Sequence, residues 1–93
     1  MNASQDAAGA AVPDLNIDAR GALCPQPVLM LARAARAHPG GLISVLADDA
    51  AAVTDIPAWC DLRGAELVGL HDESGHTRFL IRAPASAEGG GKG

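Results

Sequence analysis

The sequence has almost no aromatic residues: its 93 residues include one Trp, one Phe and no Tyr. Positive charge is also in short supply, since 7 basic residues against 11 acidic ones give a net charge of -4. Proteins that bind nucleic acid use basic side chains to neutralise phosphates and aromatic side chains to stack on bases. The composition therefore argues against direct nucleic-acid binding, and an RNA-binding module is disfavoured.

Long apolar runs and a targeting segment are missing as well. No run of apolar residues approaches the ~18 that a transmembrane helix needs. The segment from Met1 to Asp6 contains no Lys or Arg, and no apolar region follows it as one does in a secretory signal. The two cysteines, Cys24 and Cys60, are too few for a disulfide scaffold. We expect a cytoplasmic protein with reduced thiols that is not associated with a membrane.

The chain length allows one small domain, and a hydrophobic content of 48% is sufficient for its core. Residues 1–12 lack apolar periodicity and are predicted to form a disordered N-terminal arm. Residues 84–93, rich in Gly and Ala, are predicted to form a flexible tail. The folded domain is therefore expected at residues 13–83.

Hydrophobic periodicity predicts six elements within that domain. Alternation predicts strands at 14–18, 65–70 and 77–82, and a continuous apolar run predicts a central strand at 42–47. Helical spacing predicts one helix from Pro25 to the His38-Pro39-Gly40-Gly41 stop signal. A second helix is predicted from an N-cap at Asp49 to Arg63, with Pro57 leaving open a kink or a new start near Asp55. Residues 72–75 are predicted to form a hairpin turn.

The predicted order is β-α-β-α-β-β. Its βαβ start implies a parallel strand pair, and the closing hairpin makes the sheet mixed. Two helices can cover only one face of such a sheet. The sequence therefore predicts an α+β two-layer sandwich with a mixed four-stranded sheet and both helices on one face.

Cys24 is the leading candidate for chemistry, because it lies between the first strand and the first helix. The partial positive charge and free N–H groups of a helix N-terminus favour an anion such as a thiolate, so we expect the Cys24 pKa to be lowered. Pro25 would hold that first turn rigid. Pro27 occupies the place of the second cysteine of a Cys-x-x-Cys motif, which leaves single-thiol chemistry. The alternative is that Cys24 is a small buried hydrophobe.

The motifs around Cys24 resemble those of the TusA/SirA-like sulfur-carrier family. The matching segments are Asp18-x-x-Gly21, Cys24-Pro25-Gln26-Pro27-Val28, Ala47-Asp48-Asp49, Asp55-Ile56-Pro57-x-x-Cys60 and Phe79-Leu80-Ile81-Arg82. They occur in the family's order and cover about residues 14–83. The family fold is a β-α-β-α-β-β two-layer sandwich, which agrees with the order predicted from periodicity.

The resemblance implies a persulfide relay protein rather than a stand-alone turnover enzyme. A cysteine desulfurase or a rhodanese-like enzyme would transfer a sulfane sulfur to Cys24, which would pass it to an acceptor protein. Family members supply tRNA thiolation, molybdenum-cofactor assembly or sulfur oxidation, and no metal or organic cofactor is implied. The alternative is a regulatory or protein-interaction module in which Cys24 is structural or redox-sensing.

Five further residues are candidates for docking a partner protein. Arg33 and Arg36 lie off the apolar face of the first helix, and Leu29 is expected to be an exposed apolar anchor beside the motif. Arg20 could stabilise an anionic persulfide, and Asp49 follows a strand at the end where open α/β sheets place their sites. For the arginines and Asp49 the alternatives are a solvated helix face, a loop arginine and a helix cap.

Cys60 has helical spacing with Val53 and Ile56, so it is predicted to be a core residue. The three histidines share no ligand spacing with each other or with the cysteines, and no metal site is predicted. A monomer is expected, because a carrier must present one thiol to two partners in turn.

Overall fold

A computed structural model describes residues 12–85. Most of the predicted N-terminal arm and of the predicted C-terminal tail lies outside the described residues. The elements within them follow the predicted order, and they are β1 (Leu15–Asp18), α1 (Gln26–Ala37), β2 (Leu42–Ala47), α2 (Ala52–Arg63), β3 (Glu66–Glu73) and β4 (His76–Arg82). In this part of the chain no helix is both long enough and apolar enough to span a membrane.

The four strands form one mixed sheet in the order β1-β2-β4-β3. β1 and β2 are parallel, as a βαβ unit requires, with Ile17 opposite Val45. β4 is antiparallel to both of its neighbours, β2 and β3. The carboxyl ends of β1 and β2 therefore lie side by side at one edge of the domain, and the segments that follow them meet there.

The core lies between the sheet and the two helices. The inward side chains of the two central strands are fully buried, among them Ile43, Val45 and Phe79. Leu31 of α1 and Ile56 of α2 belong to the same cluster, so both helices pack on one face of the sheet. The predicted α+β two-layer sandwich is confirmed.

The closing hairpin is longer than predicted. β3 continues to Glu73 and β4 begins at His76, so the connection is the two residues Ser74 and Gly75 rather than residues 72–75. Gly75, the second residue of this connection, has a φ of +82°, a left-handed conformation that glycine adopts without strain. Charged pairs such as Arg78 Nε to Glu73 Oε2, at 3.0 Å, hold the polar strand ends together. Asp72 and Glu73, which are typical turn residues, are therefore paired residues of β3.

The second helix also differs from its prediction at its start. It runs without interruption from Ala52 to Arg63 and includes Pro57, so no new helix begins near Asp55. The residue before its first turn is Ala51 rather than the predicted N-cap Asp49. One carboxylate oxygen of Asp49 does accept the Ala51 N–H at 3.3 Å. The other accepts the Cys24 N–H, in the loop that follows β1. Asp49 therefore makes its shorter hydrogen bond to that loop and its longer one to the start of the helix.

Candidate functional site

Cys24 lies in the turn that connects β1 to α1, two residues before the first helical residue. Its side chain is half-buried, while the preceding Leu23 is exposed. Pro25 occupies the position just before the helix, and Pro27 is buried in the first turn. Prolines fit there because the first N–H groups of a helix have no partner within it. The thiol is thus held at the start of α1 and remains accessible.

Two adjacent carboxylates at the end of β2 fix this turn. Asp48 Oδ1 accepts the backbone N–H of Gly21 at 2.9 Å, and Asp49 Oδ2 accepts the backbone N–H of Cys24 at 2.7 Å. The turn carries Gly21 at a φ of +86°, a conformation that favours glycine. Parallel pairing of β1 with β2 brings these segments together, although they are more than 20 residues apart in sequence.

The thiol of Cys24 is not activated by the helix start, and this part of the prediction is wrong. Burial, hydrogen bonding to Asp55 and the negative charges of Asp55 and Asp49 raise the pKa of the Cys24 thiol. Pro25 and Pro27 have no N–H to offer an anion, and the Gln26 N–H binds the Leu23 carbonyl at 2.9 Å. The helix terminus therefore has few free donors, and carboxylates face the sulfur instead.

This environment predicts the pH dependence of alkylation. The Cys24 thiolate is the reactive form, and its raised pKa leaves a smaller thiolate fraction at neutral pH than in free cysteine, whose pKa is about 8.5. Iodoacetamide should therefore modify Cys24 with a rate that rises through a midpoint above that of free cysteine. The rate is measured by intact mass across a pH series, and a midpoint below the free value would show that the carboxylates do not control the thiol.

Asp49 is predicted to stabilise the fold through the Cys24 turn. Replacement by alanine leaves the Cys24 N–H without its acceptor, which costs about 1–3 kcal/mol of unfolding free energy. Asp49→Asn keeps an acceptor oxygen and should lose less. Asp61, exposed on α2, is the control, and Asp61→Ala should change stability by less than about 0.5 kcal/mol. Urea unfolding measures all three, and equal stabilities of Asp49→Ala and Asp61→Ala would contradict the assignment.

Arg20, the candidate for stabilising a persulfide, is paired with Asp18. Its Nε donates to Asp18 Oδ1 and its Nη2 donates to Asp18 Oδ2, both at 2.8 Å. This pairing lowers the Asp18 pKa to about 2. The guanidinium is thus held by its neighbour in the sequence rather than by the thiol, and a role toward partners stays a prediction.

The remaining predicted residues divide between surface and core. Arg33, Arg36 and Leu29 are exposed on α1, and Leu29 is 47% exposed as expected of an apolar anchor. Cys60 is buried in the core as predicted, and burial raises its pKa to about 11. Cys24 is therefore the more accessible of the two thiols. Residues 12–85 contain no cluster of three or more side chains suited to a metal ion.

Sequence reasoning missed a groove beside the thiol. It is an open depression of about 280 Å³ lined by Pro25, Val28, Asp55, Ala58, Trp59 and Leu62. The exposure of Leu62, at 79%, makes it a prominent apolar side chain at the surface. A signal was present, because Leu62 lies off the helical spacing of Ile56 and Cys60 and is flanked by charged residues. Asp55 belongs to the Asp-Ile-Pro-x-x-Cys motif, but the sequence does not show that it lies next to Cys24.

The fold and the site define a class: small two-layer α+β domains with one accessible cysteine at the start of the first helix. The family model described as Sulfurtransferase TusA matches residues 15–83. A crystal structure of a SirA-like protein from Desulfitobacterium hafniense has a TM-score of 0.67 at 26% identity. The similarity covers 75% of this chain and 97% of that one.

Curated relatives agree with the family model. The sulfur carrier protein TusA of Pseudomonas paraeruginosa is 42% identical over 73 residues, which are 77% of this chain and 92% of that protein. The sulfur carrier protein TusA of Pseudomonas aeruginosa matches with the same identity and coverage. This chain belongs to the TusA sulfurtransferase family.

Proposed function

We propose that this protein is a sulfur carrier that holds a sulfane sulfur as a persulfide on Cys24. The observation that carries the proposal is the contrast between its two thiols. Cys24 is accessible on a turn fixed by Asp49, whereas Cys60 is 3% exposed within the core. The Cys-Pro-x-Pro sequence at Cys24 is also one of the segments on which the family resemblance rests. Transfer by a single thiol needs no metal and no organic cofactor.

The proposed chemistry is an exchange at sulfur. The Cys24 thiolate attacks the outer sulfur of a donor persulfide, so that a new S–S bond forms at Cys24 and the donor's own S–S bond breaks. The donor cysteine leaves as a thiolate and takes up a proton, which balances the proton that Cys24 has lost. The sulfur moves without net oxidation, and the same exchange in reverse order delivers it to an acceptor thiol.

The proposed donor is a cysteine desulfurase or a rhodanese-like enzyme, and the proposed acceptor is another protein. The outlets carried over from the family are tRNA thiolation, molybdenum-cofactor supply and sulfur oxidation. A relay of this kind operates with reduced thiols, which supports a cytoplasmic location, and a monomer leaves the thiol open to both partners. The protein would act as a relay partner rather than as an enzyme that turns over alone.

The raised pKa of Cys24 weighs against a redox sensor, the alternative function. Small oxidants react with the thiolate, and sensor cysteines are accordingly of low pKa. A thiol kept protonated in the resting protein reacts slowly with such oxidants. It suits a carrier that exchanges sulfur within a protein complex.

Sulfur loading tests the proposal. The reduced protein is incubated with a cysteine desulfurase and cysteine, or with a rhodanese and thiosulfate, and its intact mass is measured. The carrier function predicts a gain of about 32 Da, one sulfur atom, that peptide mapping places on Cys24. Absence of any gain with both donors would contradict the function, and a gain located on Cys60 would contradict the site.

A further inference from the structure

The groove between the two helices opens next to the transferring thiol. Pro25, the neighbour of Cys24, forms one wall, and Trp59 and Leu62 of α2 form the other. Five of its six lining side chains are apolar, and the sixth is Asp55. The volume of about 280 Å³ accommodates a single large side chain rather than a folded segment. Asp55 therefore places a single carboxylate in an otherwise apolar groove at the edge of the site.

Asp55 has no cationic partner among residues 12–85. The ion pairs of that region are Arg20 with Asp18, His76 with Glu73 and Arg78 with Glu73. Asp55 is half-buried in the first turn of α2, where the helix terminus favours a negative charge. The groove therefore presents a fixed negative charge that no side chain in the described part of the chain neutralises.

We propose that the groove receives an arginine or lysine side chain of the sulfur donor, which pairs with Asp55 beside Cys24 during transfer. The inference rests on the proposed carrier function. The apolar walls fit the methylene stem of such a side chain, and Trp59, which lines the groove, is the aromatic residue type that attracts cations most strongly. The charged end then reaches the carboxylate. Charge and shape thus select a basic residue.

The donor is the partner that needs this contact. In the loading step Cys24 is the nucleophile and must lose its proton, while in the delivery step the acceptor's cysteine is the nucleophile. The charged groups that face Cys24 are Asp55 from α2 and Asp49 from the end of β2, and both oppose the thiolate. A cation paired with Asp55 offsets part of this negative charge and so favours ionisation of the Cys24 thiol. The Cys24 proton then passes to solvent, and the departing donor thiolate takes up another.

The test compares two reactions of the same thiol in Asp55→Asn. Alkylation by iodoacetamide, a small uncharged reagent, should become several-fold faster at fixed pH, because one opposing charge is gone. Sulfur loading from a cysteine desulfurase with cysteine should become about tenfold slower or more, because the ion pair with the donor is lost. Loss of a merely structural residue would not move the two rates in opposite directions.

Asp61→Asn, on the exposed surface of the same helix, is the matched control and should change neither rate. Asp55→Glu keeps the charge and should restore most of the loading. Leu62→Ala shortens the groove wall at an exposed position, so it should fold normally, load more slowly and alkylate at the wild-type rate. This variant keeps the proposal testable if Asp55→Asn does not fold.

Loading of Asp55→Asn at or above the wild-type rate would overturn the inference while leaving the carrier function intact, and so would wild-type loading of Leu62→Ala. A wild-type protein that gains no sulfur from either the desulfurase or a rhodanese with thiosulfate would contradict the carrier function itself, and the inference with it. The two failures are therefore distinguishable in one series of mass measurements.

Discussion

Replacing Cys24 with serine should abolish sulfur loading while leaving the fold intact. A serine hydroxyl ionises far less readily than a thiol and cannot form the S–S bond on which transfer depends. The exchange of one atom keeps the backbone N–H that donates to Asp49, so the turn retains its anchor at 2.7 Å. Intact mass after incubation with a cysteine desulfurase and cysteine should therefore equal the mass before it.

Cys60 provides the matched control for that experiment. It is buried in the core beside Ile56, and its pKa of about 11 leaves almost no thiolate at neutral pH. Cys60→Ala replaces one small buried side chain with another and should load sulfur as the wild-type protein does. If Cys24→Ser still gains sulfur and Cys60→Ala does not, the assignment of the carrier residue is wrong.

Replacing Phe79 with alanine should cause the largest loss of stability of any single change considered. Phe79 is the largest fully buried side chain of residues 12–85, and it lies on β4 opposite Val45 of β2 and Leu70 of β3. Removal of a buried phenyl ring costs about 3–5 kcal/mol, because apolar contacts are lost and a cavity remains. The free energy of unfolding of native proteins is only about 5–15 kcal/mol. The substitution would therefore remove a large part of it.

The loss is measured as a fall in the midpoint of urea unfolding. Leu62→Ala is the control, because a side chain that is 79% exposed contributes little to the core and should change stability by less than about 0.5 kcal/mol. Similar midpoints for the two variants would show that the core is not organised around β4.

The fold was predictable because local and long-range signals in the sequence agree. The alternation at Leu15 and Ile17, the apolar run of β2 and the spacing of Val28, Leu31 and Ala35 each match the observed element. The limits of the hairpin were not predictable from residue type. Asp72 and Glu73 are typical turn residues, yet both lie in β3, where Asp72 accepts a hydrogen bond from Thr77 at 3.2 Å.

The position of the candidate thiol was predictable, but its electrostatics were not. The predicted strand before Cys24 and the predicted helix after it place Cys24 at the start of the first helix, as the structure does. The carboxylates that oppose its ionisation belong to Asp49 and Asp55, 25 and 31 positions later in the sequence, and reach it only through the packing of β2 and α2. Burial and these carboxylates raise the pKa of the Cys24 thiol, and Pro25 and Pro27 have no N–H groups with which the helix start could lower it.

The most direct test of the carrier account is whether the mass added to Cys24 is transferable sulfur. A gain of about 32 Da also fits a sulfinic acid, which carries two added oxygens and is not reversed by thiols. The loaded protein is therefore freed of its donor and treated with cyanide, which takes up sulfane sulfur as thiocyanate. The account predicts that the mass returns to its starting value while one equivalent of thiocyanate forms. A mass that persists without thiocyanate would contradict it and identify Cys24 as a site of oxidation.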